Sequence, residues 1–127
     1  MASRHTCGCD DMVMLSRVSN DSILENLRKR FSDELIYTYI GHVLIAMNPY
    51  RMIKDLYTDQ TLRRYRGKYP YEEPPHVYAV ADDMYRHMLS EACSHCVIIS
   101  GESGPGRRRR ASLSCSMWRR CRGAGRR

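Results

Sequence analysis

The stretch "HCVIISGESGPGRRRR", residues 95–110, decides the fold and raises the question of function. It begins with a short, continuous apolar run, His95–Ser100, of the kind that forms buried strands in parallel sheets. Three glycines follow, Gly101, Gly104 and Gly106. A strand that leads into G-x-x-x-x-G is the context in which successive backbone N–H groups turn inward and hold phosphate oxygens. We therefore predict an α/β fold with a phosphate-binding loop after this strand.

Three residues of this loop depart from the phosphate-binding pattern. Pro105 removes a backbone donor, Arg107 replaces the expected lysine with a wider planar cation, and Arg108 replaces the hydroxyl that binds magnesium. The loop is predicted to bind nucleotide poorly and not to hydrolyse it. The residues assigned to it are Gly101, Glu102, Ser103, Gly104, Pro105, Gly106, Arg107 and Arg108.

The positive charge of the chain is confined to its last 21 residues. Residues 107–127 hold nine of the 21 Lys and Arg and none of the 14 Asp and Glu, so their charge is +9, whereas residues 1–106 carry −2. One interpretation is a nucleic-acid-binding arm in which Trp118 stacks on bases. Nonspecific binding of polyanions follows from the charge in any case.

The six cysteines do not form a recognisable metal or disulfide framework. "MASRHTC" at the start has no apolar segment typical of a secretory signal, so reduced thiols in the cytosol are expected. Residues 93–96, Cys-Ser-His-Cys, lie far from His5, Cys7 and Cys9, and the two groups lack the paired spacing of zinc sites. We predict inert, buried thiols at Cys93 and Cys96 and no metal site.

Two helices and a hairpin are predicted from periodicity. "SNDSILENLRKRF", residues 19–31, is a helix that Asn20 or Asp21 caps. "LIYTYIGHVLIAMN", residues 35–48, is split by Gly41 into two strands with a tight connection. The predicted buried face of the helix comprises Ile23, Leu24, Leu27 and Phe31.

A polar segment and a second helix follow. Residues 48–71 are predicted to be a loop with a short helix, packed by Tyr57, Tyr65 and Tyr71. "EEPPHVYAVADDMYRHMLSEAC", residues 72–93, is a helix with its two prolines in the first turn. His76 is expected to be exposed or to cap this helix. Asp82 and Asp83 are expected on its solvated face.

Four stretches together resemble the front of a myosin motor domain. "DDMVMLSRVSNDSILENLRKRF", "LIYTYIGHVLIAMNPYR", "YEEPPHVYAVADDMYRHM" and "CVIISGESG" occur in the order of that family. "TYIG" followed by "NPYR" resembles the class I myosins, and the resemblance covers Gly8–Gly104. It implies an ATP-driven actin motor, in the cytoplasm and on the cytoskeleton, with a mixed central sheet. It also implies Mg²⁺ with the ATP, and calmodulin-like light chains that bind beyond the end of this chain.

The resemblance also implies an adenine site. Asn48 and Pro49 would lie in the loop that holds the adenine, and Tyr57 would cover the base. The interval from Asn48 to Tyr57 is one residue longer than in the family pattern. Residues 101–106 would hold the phosphates.

The resemblance to this family suggests an origin for the arginine-rich tail. Its usual continuation of GESG is AGKTEASK. When that continuation is written in G/C-rich codons and one G is removed from its opening run, the new frame matches Gly104–Arg120 residue for residue. The chain is therefore interpreted as a motor fragment whose reading frame slips at Gly104.

This interpretation divides the chain into a flexible N-terminus, 1–12, a motor fragment, 13–106, and an out-of-frame tail, 107–127. An inactive fragment is expected, because the loop is damaged and the switch loops would lie beyond the chain's end. The alternatives are a small basic nucleic-acid-binding protein and a small P-loop protein with an arginine-substituted loop.

Overall fold

The structure of the protein is a computed structural model that describes residues 8–101, in two units that divide after Ile53. The first unit holds a short 3₁₀ turn at Met12–Met14, helix α1 at Asn20–Ser32, and strands β1 at Tyr37–Ile40 and β2 at Val43–Ala46. The second holds helices α2 at Asp59–Tyr65 and α3 at Val77–Glu91. Within residues 8–101, no helix has the length and apolarity needed to cross a membrane.

Helix α1 begins at a capping box made of two serines. The Ser19 hydroxyl accepts from the backbone N–H of Ser22 at 3.3 Å, and the Ser22 hydroxyl accepts from the N–H of Ser19 at 2.9 Å. Two N–H groups that have no partner within the helix are thereby satisfied. The predicted helix is confirmed, but the predicted cap was wrong: Ser19 is the cap, and Asp21 lies in the first turn, where its charge favours the helix dipole.

Strands β1 and β2 form the predicted antiparallel hairpin. Tyr37 pairs with Ala46 and Ile40 with Val43, so two residues connect the strands. The first of these, Gly41, has φ +59°, a conformation that favours glycine. The described residues contain this two-stranded sheet, and the larger mixed sheet that was expected is not found among them.

The segment before α1 packs against β1. The carbonyl of Asp10 accepts from the N–H of Tyr39 at 2.8 Å, and the Asp11 carboxylate accepts from the N–H of Gly41 at 3.1 Å. The side chain of Met12 is fully buried. The structure therefore buries Asp11 and Met12, at the end of the predicted flexible N-terminus, and joins Asp10 to β1 by a backbone hydrogen bond.

Helix α1 buries polar residues, which the sequence pattern did not predict. Asn26 and Arg30, four positions apart on one face, are buried, whereas Leu24 is 55% and Phe31 40% exposed. The prediction that the apolar face of this helix is its buried face was therefore wrong. The reason is that the segment before α1 and strand β1 present backbone carbonyls to the helix, and these require donors rather than apolar groups.

The second unit packs α2 against α3. Thr58 caps α2 by accepting from the N–H of Thr61 at 3.2 Å. Tyr65 is buried as predicted, whereas Tyr71 is 60% exposed, so its predicted packing role was wrong. Pro74 and Pro75 precede the cap of α3 instead of lying in its first turn. The buried hydrophobic residues here are Leu62, Tyr65, Val77, Tyr78, Ala81 and Met84.

The predicted strand at residues 95–100 is not formed. These residues have no regular secondary structure, and Ile98 is 85% exposed. Cys93 and Cys96 are exposed free thiols, so the prediction of buried thiols was also wrong. A buried strand needs neighbouring strands to satisfy its backbone groups, and the second unit offers none among its described residues.

Candidate functional site

The segment predicted to hold adenine follows β2 directly. The N–H of Met47 still donates to the carbonyl of Ile36 at 2.8 Å, and the chain then leaves the hairpin. The Asn48 side chain accepts from the N–H of Tyr50 at 3.0 Å, which forms a local turn. Tyr50 has φ +53° and is 90% exposed. The side-chain oxygen of Asn48 is thus used to shape its own loop.

Tyr57 lies in an aromatic cluster of the second unit. Its ring centroid is 5.8 Å from that of His76 and 6.4 Å from that of Tyr78. Asn48 and Pro49 belong to the first unit, whereas Tyr57 belongs to the second. These two ring contacts of Tyr57 are with residues at the start of α3.

One residue of the predicted phosphate-binding loop falls within the described part of the chain. Gly101 has φ +150°, and a Cβ at this position would meet no atom within 4 Å. Its conformation, rather than crowding, favours glycine here. The other predicted loop residues, 102–108, lie outside the described residues.

His76 is the buried centre of the aromatic cluster. Its Nδ1 accepts from the N–H of Tyr78 at 3.0 Å, which caps α3, and its Nε2 lies 3.0 Å from the carbonyl of Leu56. The ring stacks on that of Tyr65, with centroids 4.9 Å apart. Burial lowers the pKa of His76 to about 4, against the opposing effect of the Leu56 carbonyl.

His76 is therefore a neutral structural group at neutral pH. The prediction of a capping histidine is confirmed, whereas that of an exposed one is wrong. Its predicted place in the first turn suggested a cap, and the structure begins the helix just after it, at Val77. No sequence signal pointed to its contact with the carbonyl 20 residues earlier.

Arg30 is a buried cation that the pattern of the sequence did not indicate. Its side chain is 1% exposed and donates to the Thr38 hydroxyl at 2.9 Å and to the Tyr37 carbonyl at 2.9 Å. It also donates to the carbonyl of Gly8 at 3.1 Å and to the Asp10 carboxylate at 2.6 Å. These contacts join the start of the first unit to its hairpin.

Asp82 is also buried, which contradicts the predicted solvated acidic pair. Its carboxylate accepts from the N–H of Gly67 at 3.0 Å and from Nε of Arg86 at 2.9 Å. The Arg86 guanidinium also lies 4.7 Å from the ring centre of Tyr69. Asp82 thus fixes the loop after α2 onto α3, while its neighbour Asp83 is only partly buried.

Comparison with known proteins places these elements in a family. The family model "Myosin head (motor domain)" matches residues 9–114, most of the chain. The chain belongs to the myosin head family. The predicted family resemblance is therefore confirmed over the hairpin, the three helices and the segment that leads to Gly101.

Class I myosin heavy chains are among the relatives of this myosin chain. It is 68% identical over 105 residues to the "Myosin IC heavy chain" of Acanthamoeba castellanii, which covers 83% of this chain and 9% of that protein. It is 60% identical over 113 residues to the "Myosin ID heavy chain" of Dictyostelium discoideum, which covers 89% and 10%. The chain thus spans about a tenth of the length of the curated relatives it matches.

The chain thus corresponds to the N-terminal part of a class I myosin motor domain. The matched range includes Asn48, Pro49, Tyr57 and the phosphate-loop residues. Their roles toward nucleotide remain predictions.

Proposed function

We propose that this chain contributes the first part of a class I motor that couples ATP hydrolysis to movement on actin. The observation that carries the proposal is the 68% identity over 105 residues to a myosin IC heavy chain. In the intact motor, Asn48, Pro49 and Tyr57 contact adenine and the loop from Gly101 holds phosphate. Actin and calmodulin-like light chains are its partners, and the cytoplasmic cytoskeleton is its location.

Exposed apolar side chains of the first unit are consistent with a place within a larger folded protein. Leu24 and Phe31 are exposed on this helix, and Val13, Met14 and Val18 are exposed in the segment before it. In a larger protein, further residues of the chain would be able to cover such exposed apolar side chains. The isolated chain is expected to self-associate, which light scattering over a concentration series measures.

The chain as given is proposed not to hydrolyse ATP. Arg107 and Arg108 stand where the loop needs a compact ammonium and a hydroxyl. A guanidinium cannot bind a divalent cation, so this donor set does not fit magnesium. Pro105 also removes one backbone donor from the phosphate cradle.

Nucleotide binding by the purified chain tests this inactivity. Titration with a fluorescent ATP analogue and Mg²⁺ is expected to give no saturable signal. Saturable, magnesium-dependent binding that Gly106→Val abolishes would contradict it, and would favour a P-loop protein with an arginine-substituted loop. Among residues 8–101, no feature supports the nucleic-acid-binding alternative.

A frame slip at Gly104 is proposed as the origin of the arginine tail. The proposal is supported by the residue-for-residue match of Gly104–Arg120 to a family continuation read one base out of frame. Resequencing the DNA and the transcript across the codons for Ser103–Arg110 tests where the slip arose, and one further G would restore the family continuation and show a sequencing error. Confirmation of the present bases in both molecules would contradict a sequencing origin and leave a genomic change.

The restored reading frame provides the test of motor function. A protein expressed from it is expected to hydrolyse ATP and to do so faster with filamentous actin. Substitution of its restored loop lysine by alanine is the matched control, because it removes the charge that bridges the outer phosphates. Hydrolysis that actin leaves unchanged would contradict the proposed motor function.

A further inference from the structure

Three different metal-ligating side chains converge where α3 ends. Glu91 is the last residue of the helix, and Ala92 then adopts the left-handed conformation, with φ +50°. Cys93 and His95 follow, and their side chains turn back to the Glu91 carboxylate. The three donors are a carboxylate oxygen, a sulfur and an imidazole nitrogen, all within 4.8 Å of one another.

The distances among these donors are compatible with a tetrahedral metal site. Sγ of Cys93 is 3.4 Å from Oε2 of Glu91 and 3.4 Å from Nε2 of His95, and Nε2 is 3.1 Å from Oε2. Zinc–ligand lengths in a tetrahedron place such donors about 3.3 Å apart for the nitrogen–oxygen edge and about 3.6 Å apart for the two sulfur edges. Each observed edge lies close to the corresponding value.

The chemical types of the three donors determine which metal ions they favour. A thiolate and an imidazole favour zinc and similar late transition metals, whereas Mg²⁺ and Ca²⁺ take oxygen ligands alone. We propose that Glu91, Cys93 and His95 form a binding site for Zn²⁺. A fourth coordination position would be open to a water molecule, since Glu91 and Cys93 are exposed. This site is independent of the proposed motor function, because none of its ligands belongs to the predicted nucleotide site.

Cobalt provides a direct probe of the thiolate ligand. In the full chain titrated with Co²⁺ alone, a thiolate-to-cobalt charge-transfer band is expected. Cys93→Ser is expected to abolish this band, while Cys96→Ser and Cys9→Ser retain it. Cys96 is the matched control because it is an exposed thiol three residues away. A band that persists in Cys93→Ser, or is absent from the unaltered chain, would overturn the proposal.

Alkylation of the two neighbouring thiols provides a second measurement within one molecule. Zn²⁺ is expected to slow the reaction of iodoacetamide at Cys93 by roughly tenfold or more relative to Cys96, because metal-bound thiolate is not free to react. Tandem mass spectrometry separates the two sites. His95→Ala is expected to remove this protection. Equal rates at both thiols with and without Zn²⁺ would show that the three groups only hydrogen-bond to one another.

Discussion

The side chain of Asn26 and the backbone of Cys9 exchange two hydrogen bonds. The N–H of Cys9 donates to Oδ1 of Asn26 at 2.7 Å, and Nδ2 of Asn26 donates to the carbonyl of Cys9 at 3.1 Å. The amide thus pairs with the chain as a neighbouring strand would. A Cβ on the adjacent Gly8 would lie 2.5 Å from Oδ1, so the close approach depends on glycine.

Replacement of Asn26 by alanine is expected to lower the free energy of unfolding by roughly 1–3 kcal/mol, because both backbone groups of Cys9 lose their partner in a partly buried place. Urea unfolding followed by circular dichroism measures this change. Arg28→Ala, on the exposed side of the same helix, is the control and is expected to change stability by less than about 0.5 kcal/mol. Equal effects of the two substitutions would contradict the proposed pairing.

Replacement of Arg30 by methionine is expected to lower the free energy of unfolding by about 3–5 kcal/mol, which is more than the loss expected at Asn26. The reason is that the variant lacks the guanidinium and leaves its buried acceptors without a donor. Arg30→Lys is expected to recover only a part of this loss, since an ammonium cannot reproduce the planar fork that serves Tyr37 and Thr38 together. Amide hydrogen exchange of residues 8–12 provides a local measurement. Unchanged protection of this segment in Arg30→Met would show that the guanidinium does not hold it.

The buried His76 predicts a dependence of stability on pH. The pKa of His76 is lowered from 6.5 to about 4 in the folded chain, so the unfolded chain binds more protons between these values. The contribution of neutral His76 to the free energy of unfolding is therefore fully present above pH 6.5. It is lost as the pH decreases toward about 4, and the loss is on the order of 3 kcal/mol.

Urea unfolding of the unaltered chain and of His76→Asn across this pH window isolates the effect of the imidazole. Asparagine keeps an acceptor suited to a helix cap but does not titrate. The variant is expected to be less stable at pH 7 and to lose less stability on acidification. If the free energy of unfolding changed with pH in the same way for both chains, His76 would be excluded as the titrating group.

Asp82 and Asp83 form a natural pair of variant and control. Asp82→Ala is expected to destabilise the second unit by roughly 1–3 kcal/mol, because it leaves the N–H of Gly67 without its acceptor and Arg86 without its closest carboxylate. Asp83→Ala is expected to have a smaller effect, since its contact with Arg86 is 3.5 Å long. A larger effect at Asp83 would reverse the assignment.

The sequence predicted those elements whose signals are local. The periodicity of α1 and α3, and the glycine between two β-rich runs, were sufficient for both helices and the hairpin. It did not predict which side of α1 is buried, because Asn26 and Arg30 find their partners up to 22 residues away. Spacing along a helix reveals which residues share a face, but not which parts of the chain pack against that face.

The errors in the predicted exposure of His76 and Asp82, and in the strand predicted at residues 95–100, all concern partners that are distant in sequence. His76 and Asp82 were expected in solvent because their partners are distant in sequence. These partners are the carbonyl of Leu56 for His76 and the N–H of Gly67 for Asp82. The apolar run before Gly101 was expected to be a strand because its residues favour one, but a strand also requires neighbours. For the nucleotide site, the motifs identified the family, while the roles of Asn48, Pro49 and Tyr57 rest on that membership alone.

The partners of Arg30 have a consequence for the order of folding on the ribosome. Gly8 and Asp10 are synthesised 22 and 20 residues before this arginine, whereas Tyr37 and Thr38 follow it by seven and eight. The guanidinium can be fully satisfied only after β1 has left the exit tunnel. Until then the N-terminal segment lacks the contact that holds it to the hairpin, so the first unit completes its fold only after residues on both sides of α1 have been synthesised.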